Sequence, residues 1–204
     1  GVSCVPSIPL GLGLIGGYLK QQIPNVEVKI LKLMSNILNY IKTNKPDVLG
    51  ISNYMWNTNL SIKLSKVAQK VNPNILVVFG GPDINRKHSD KERFIRLYSH
   101  ADLLVEKEGE IAFTKIIQTY LSVNRNKIKL REHIDELGNC FYINSDKNFT
   151  SGPKLPKISD MNVMPSPYLT GLFDEFLADK HFQPLLETNR GCLYQCTFCQ
   201  QGET

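Results

Sequence analysis

The chain has 204 residues, 42% hydrophobic and 21% charged, the balance of a soluble globular protein with one ordinary core and part of another. Five cysteines are too few and too unevenly placed for a disulfide framework and suit a reducing cytoplasm instead. The excess of 24 Lys+Arg over 19 Asp+Glu can reflect anionic ligands but needs none, and no apolar run reaches the ~20 residues that span a bilayer.

That longest apolar run, Ile8 to Leu19, is Gly-rich and has no basic region before it, so it does not read as a signal peptide. The chain opens with Gly rather than Met and stops five residues after Cys199, so both ends are expected to be cuts in a longer protein. Val2 to Val5 reads as the tail of a first strand, ended by Pro6 and Pro9. Leu10 to Gln22 has helical spacing, and Gly11, Gly13 and Gly16 within it match G-x-G-x-x-G. A dinucleotide fingerprint needs that motif at a strand-to-helix turn with an acid ~20 residues on. Here it follows two prolines and the next strand ends in Lys29-Ile-Leu-Lys32, so close packing on a sheet or a flat ligand is the better reading.

A strand is expected at Val26–Leu31, a helix at about Leu33–Thr43, and a buried strand at Asp47–Ser52. A loop at Asn53–Asn57 precedes a helix at Leu60–Val71, and Ile75–Phe79 is another buried strand ending in Gly80-Gly81-Pro82. A polar helix at about Asp90–Ser99, a strand at Ala101–Val105 and a helix from Glu106–Glu110 to about Leu121 complete the alternation. Strands alternating with helices predict a parallel sheet with right-handed crossovers. The expected fold is α/β, a flavodoxin-like doubly wound sheet over residues 1–123. Residues 124–168 follow as a hairpin (Phe141–Ile143 with Phe149–Thr150) and a linker holding four prolines. A short helix at about Thr170–Ala178 leads to a strand-like run at 184–189.

In open α/β sheets, ligands lie beyond the carboxyl ends of the strands. That rule gathers the Pro6–Pro9 loop, Ser52–Asn57, Gly80–Asp83 and Glu106–Glu110 on one edge. Gly80 and Gly81 leave backbone open to a bulky ligand, Tyr54, Met55 and Trp56 offer an aromatic and thioether surface, and Glu106, Glu108 and Glu110 are acceptors. Three acids make a poor phosphate site, so a large, amide-rich, flat ligand suits the edge better than a nucleotide held by charge. Ordinary strand-end turns are the bland alternative.

The most specific stretch is Thr188 to Gly202, where Cys192, Cys196 and Cys199 stand as C-x3-C-x2-C with Phe198 before the last. Such short spacings let one loop wrap an iron–sulfur cube, and three thiolates for four irons leave one iron open. The same trio also fits a zinc knuckle short of a ligand, or an incidental group. With Arg190-Gly191 before it, the loop resembles the cluster loop of the radical SAM enzymes, whose open iron chelates S-adenosylmethionine. The succession IPLGLGLIGGYL, KPDVLGIS, NPNILVVFGGP, ADLLVEKEGE, a proline-rich linker and ETNRGCLYQCTFC resembles the cobalamin-binding radical SAM family from end to end.

The resemblance implies that Ser52, Asn53, Tyr54, Met55 and Trp56 face the corrin. It implies that the Gly80-Gly81-Pro82 and Glu108-Gly109-Glu110 turns line the nucleotide tail, and that Cys192, Cys196 and Cys199 ligate a 4Fe-4S cluster. Residues 169–204 would then open a radical SAM barrel whose remainder, with most S-adenosylmethionine and substrate residues, lies beyond Thr204. The implied activity is that of a radical enzyme, foremost a methyltransferase acting on an unactivated carbon. A cyclase or rearrangement enzyme with the same cofactors, or a cobalamin-binding module without turnover, are the alternatives.

Cobalamin mutases and methionine synthase carry Asp-x-His-x-x-Gly, but Asp179-Lys-His181-Phe-Gln-Pro184 is wrong at its last position and outside the first domain. His88 precedes a polar helix and His100 a strand, so no protein histidine is expected on cobalt. Arg125, Lys127, Lys129 and Arg131 form a basic run without interleaved aromatics, which reads as a solvated face rather than a nucleic-acid surface. Cys4 and Cys140 are isolated and read as small buried residues, which argues against the methylthiotransferase relatives with their three further cluster cysteines.

Overall fold

Leu76-Val-Val-Phe79, four apolar residues in a row, has no polar face to offer solvent and becomes the centre of the sheet. The computed structural model describes residues 6–84, 87–191, 194, 196 and 197. The strand β2 (Leu76–Gly80) is flanked in parallel by β1 (Val48–Ser52) and β3 (Leu103–Val105). The antiparallel hairpin β4 (Cys140–Ile143) and β5 (Phe149–Ser151) continues the sheet beyond β3. The described strands run β1-β2-β3-β4-β5 without reversal of order, so the strand-end loops themselves locate the site.

Parallel neighbours require crossovers, which α3 (Thr58–Val71) and α4 (His88–Leu97) supply. Alternation along the strands sends the row Ile51–Phe79–Leu104 to one face and Gly50–Val78–Leu103 to the other. On the first face Phe94 of α4 meets Phe79 edge-on, with centroids 5.8 Å apart. On the second, Phe113 of α5 (Gly109–Ser122) fills the space beside Gly50, where a Cβ would be only 3.3 Å from its ring. Helices therefore cover both faces, as a doubly wound sheet requires. Outside this pair, α1 (Leu10–Gln22) packs on α5, and α2 (Met34–Asn44) packs on α3.

Gly13 and Gly17 of α1 make room for later parts of the chain. A Cβ on Gly13 would stand 2.1 Å from the ring of Phe173, and one on Gly17 would stand 3.3 Å from Pro165. Phe173, Ile8, Ile30 and Phe176 form a second small core that binds the chain's start to the segment before α7 (Asp174–Ala178). The proline-rich segment is strapped down as well: Gly152 and Leu155 donate to the Cys140 carbonyl and the Asn139 side chain, and Ile158 packs beside Leu14.

Three sequence expectations change. Val26–Leu31 keeps its alternating burial, with Ile30 buried and Lys29 out, but forms no strand ladder among the described residues. The run 184–189 is likewise not a strand among them. Only Gln183 bridges to Ser7, and the backbone of Leu185 bonds the Tyr168 hydroxyl on both its N–H and C=O sides. A strand needs a neighbour to take its backbone bonds, and period-2 patterning does not supply one. The basic run is also less free than its spacing implies, because buried Asp102 accepts from Lys127 at 2.8 Å and Arg131 at 3.1 Å, and Arg125 pairs with Asp47. The expected strand Val2–Val5 and Cys4 lie outside the described residues. No described helix is long and apolar enough to cross a membrane.

Beneath the hairpin, burial pushes the Cys140 thiol from 9.0 up to about 12 and the Tyr142 phenol from 10.0 up to about 12. Across that interval the folded chain keeps protons that the unfolded chain has released, so stability is full below the unfolded values and is lost as pH rises through the folded ones. Urea midpoints should therefore fall steadily from about pH 9 to pH 12, and Cys140 should resist iodoacetamide in the folded chain at pH 8. A flat midpoint across that range, or rapid alkylation of Cys140, would contradict the burial described.

Candidate cofactor-binding site

At the carboxyl end of β1 the last ladder pair is Ser52 with Gly80, and one residue further Asn53 donates its backbone N–H to the Gly80 carbonyl at 2.7 Å. Asn53 is fully buried. Its Nδ2 donates to Thr58 Oγ1 at 3.1 Å and to Asp83 Oδ2 at 2.9 Å, and its carbonyl accepts from the Asp83 N–H. The loops after β1 and β2 are thus one hydrogen-bonded unit. Asn53 Oδ1 is buried with no partner in the structure.

The backbone of Gly81 makes this crossing possible. Its φ of +97° is a conformation that side chains avoid, and a Cβ there would lie 2.7 Å from the Asn53 carbonyl oxygen. Gly80 differs, since a Cβ on it would meet nothing nearer than the Val105 oxygen at 3.8 Å, which leaves room above the strand end. Pro82 opens the 3-10 turn Pro82–Ile84.

The loop 53–57 folds on itself. Asn57 Oδ1 accepts from the Tyr54 N–H at 2.8 Å, and its Nδ2 donates to the Ser52 carbonyl at 3.0 Å. This tight turn presents Tyr54 and Trp56 as stacked rings with centroids 4.6 Å apart, while Met55 and Trp56 are 79% and 80% exposed. Large apolar side chains so placed beside two glycines form a flat, open surface.

Glu106, Glu108 and Glu110 stand at the end of β3 and the start of α5, but not as free acceptors. Glu106 forms an ion pair with buried Lys91 of α4, whose ammonium lies 4.1 Å from the Phe141 ring centroid. Glu108 accepts from the Ile158 N–H at 2.8 Å. Glu110, 3% exposed, pairs with Arg190, which also donates to Glu187 at 3.3 Å. Burial pulls the Arg190 pKa down, but the bonds and charges of Glu110 and Glu187 outweigh it and hold the pKa above the ordinary arginine value. Gly109 lets α1 approach, as a Cβ there would meet Ile15 at 2.7 Å.

The structure thus brings Ser52, Asn53, Gly80, Gly81 and Pro82 together under the Tyr54–Met55–Trp56 surface. It turns the carboxylates of Glu108 and Glu110 towards Arg190 instead. The roles of Thr58, Asp83, Lys91 and Arg190 were not read from the sequence, although three acids crowded at one strand end already demand a cation. Cys196 is exposed with a free thiol, while Cys192 and Cys199 lie outside the described residues. Among the described residues no group of three or more His, Cys, Asp or Glu is arranged around a metal position. The histidines sit elsewhere: His88 against Phe149, His100 on Gln69, His133 on Glu136 and His181 on Asp179.

Parallel strands covered by helices on both faces, with glycines and an exposed aromatic stack at their carboxyl ends, define an α/β ligand-binding domain. The B12 binding domain model matches residues 5–117, and the chain belongs to that family. It is 31% identical over 218 residues to the cobalamin-dependent radical SAM methyltransferase TokK of Streptomyces tokunonensis, an alignment covering 99% of this chain and 30% of TokK. Against the 2-(S-pantetheinyl)-carbapenam-3-carboxylate methyltransferase of Streptantibioticus cattleyicolor it is 29% identical over 213 residues, again 99% of this chain and 30% of the relative. The chain therefore spans under a third of the length of these relatives.

The cobalamin-dependent S-adenosylmethionine radical enzyme OxsB, solved with aqua-cobalamin and S-adenosylmethionine bound, shares the fold at a TM-score of 0.72. That match covers 96% of this chain and 26% of OxsB, at 20% identity. The domain is a cobalamin-binding domain similar to that of cobalamin-dependent radical SAM methyltransferases.

The two glycines give opposite expectations for folding. Gly81→Ala should cost about 2 kcal/mol, from the strained φ and the clash with Asn53. Gly80→Ala should stay within about 0.5 kcal/mol of the parent. Denaturant titration of both variants tests the geometry, and an unaltered Gly81→Ala protein would contradict it.

Proposed function

We propose that the chain is the cobalamin-binding part of a cobalamin-dependent radical SAM enzyme, with radical methyl transfer to an unactivated carbon as the reaction of the whole protein. The observation that carries the reading is a B12 binding domain followed, in one chain, by C-x3-C-x2-C after Arg190-Gly191. The two methyltransferase relatives align over 99% of this chain, so both parts fall within the likeness. Thiolates of this kind work in a reducing compartment, which favours the cytoplasm.

The described residues fit a corrin. Tyr54, Met55 and Trp56 offer an exposed flat surface, Gly80 leaves the strand end open, and the unpartnered Asn53 Oδ1 lies in the floor. In this reading Ser52–Trp56 face the ring, and the Gly80-Gly81-Pro82 turn and the backbone of Glu108-Gly109-Glu110 line the nucleotide tail. No imidazole belongs to these loops, and in this reading no histidine of the chain would serve as a cobalt ligand. The donor set Cys192, Cys196 and Cys199 fits a 4Fe-4S cluster with one iron left for S-adenosylmethionine. When bound, the cluster with S-adenosylmethionine supplies radical hydrogen abstraction and cobalamin supplies the methyl group. The chain's own residues hold the ring against an apolar floor, keep water from that face and fix it relative to the cysteine loop.

The share of the relatives that this chain spans favours a second statement for the chain taken alone, that it binds cobalamin without turnover. Deoxyadenosine release by the complete polypeptide separates enzyme from carrier. For the chain itself, a visible titration with aquacobalamin should show one site. Trp56→Ala should weaken that site about tenfold or more, and Gly80→Ala should weaken it without loss of stability. Anaerobic iron and sulfide followed by reduction with dithionite should give a cluster EPR signal. Uptake of zinc but never iron, or cobalamin affinity indifferent to both substitutions, would overturn the proposal.

A further inference from the structure

Arg190 stands two residues before Cys192 and is half-buried although its neighbours Asn189 and Gly191 are exposed. Its Nη2 donates to Glu110 and Glu187, while its Nη1 lies buried without a hydrogen bond, 3.9 Å from Glu108 Oε1. Glu108 in turn holds the Ile158 N–H through its other oxygen. Three segments distant in sequence meet here: the first turn of α5, the proline-rich strap, and the approach to the cysteines.

The local physics makes this joint strong. A carboxylate as buried as Glu110 needs a counter-charge, and the planar fork of one guanidinium can serve several carboxylates at once. A lysine is a point charge and cannot reproduce that fork. The same amino-terminal turn of α5 also favours negative charge. No other cation is bonded to Glu110 or Glu108 among the described contacts, so losing Arg190 leaves these acids without compensation.

We propose that Arg190, clasped by Glu110 and Glu108, is a positioning residue that latches the cysteine loop to the cobalamin-binding domain. The approach to the cysteines is then tied to α5 by a side-chain clasp, and not by the course of the linker alone. This rests on the proposed reading that the loop holds a cluster, but the clasp can be tested without one.

Trypsin cuts after arginine, so the clasp should shield the Arg190–Gly191 bond. In metal-free protein, Glu110→Gln should speed that cut at least about tenfold relative to wild type, with the cut after Arg125 unchanged. In protein loaded with iron and sulfide and reduced with dithionite, Glu110→Gln should alter the cluster EPR spectrum and blunt its response to S-adenosylmethionine. In the cluster EPR readout, Arg190→Lys should fall between wild type and Arg190→Gln. Equal cutting at Arg190 in wild type and Glu110→Gln, or a cluster spectrum and response unchanged in that variant, overturns the latch. If wild type takes up no iron, the cluster reading falls while the tryptic comparison still decides the clasp. Faster cutting at both Arg190 and Arg125 would mean general unfolding, and would count against a local role.

Discussion

The backbone N–H of Asn53 bonds the Gly80 carbonyl one residue beyond the last ladder pair, and its side chain bonds Thr58 and Asp83. Through that one residue the loops after β1 and β2 move as a single piece. Gly81 at positive φ lets the second loop pass close enough for the bonds to form, and Asn57 closes the first loop back onto Ser52. The aromatic stack stands on this frame, with Tyr54 half-buried and Trp56 80% exposed. Without Asn53 the edge would be two independent turns, and a large flat ligand would have to order them as it bound.

The rest of the described chain is strapped back towards that edge. The strap from Gly152 to Ile158 runs from the hairpin to the start of α5. Beyond it, Phe173 fills the gap left by Gly13 in α1, and Gln183 pairs with the backbone beside Ser7. Each attachment shortens the free path between the sheet and the cysteines. Arg190 is the last of them, and it reaches the same helix terminus that bounds the strand-end edge.

Sequence reading found the elements with continuous apolar runs, although β2 is buried through Phe79 while β1 is half-buried with Gly50 exposed. Ile75–Phe79 and Asp47–Ser52 have no polar alternation to mislead, and Leu10–Gln22 is framed by Pro9 before it and Pro24 after it. Reading failed where a pattern needs a partner to become structure. Val26–Leu31 alternates as a strand does, yet its inward residues pack on Gly16 and Phe173 without a ladder among the described residues. Within the glycine-rich α1, Gly13 and Gly17 take in Phe173 and Pro165 from much later in the chain. The acids at Glu106–Glu110 were legible as a cluster, but which cations answer them depends on segments up to 80 positions away. Such pairings carry no local signal.

The central claim is that cobalamin lies on the surface built by Ser52–Trp56 and the Gly80–Pro82 turn. Hydrogen–deuterium exchange with and without saturating aquacobalamin addresses it directly. Exchange should slow in peptides covering 53–57 and 80–84, and stay unchanged around α6 (Lys127–Leu130) and the tip of the β4–β5 hairpin. Bound cobalamin that leaves 53–57 and 80–84 unprotected, or protects another face instead, would contradict the account.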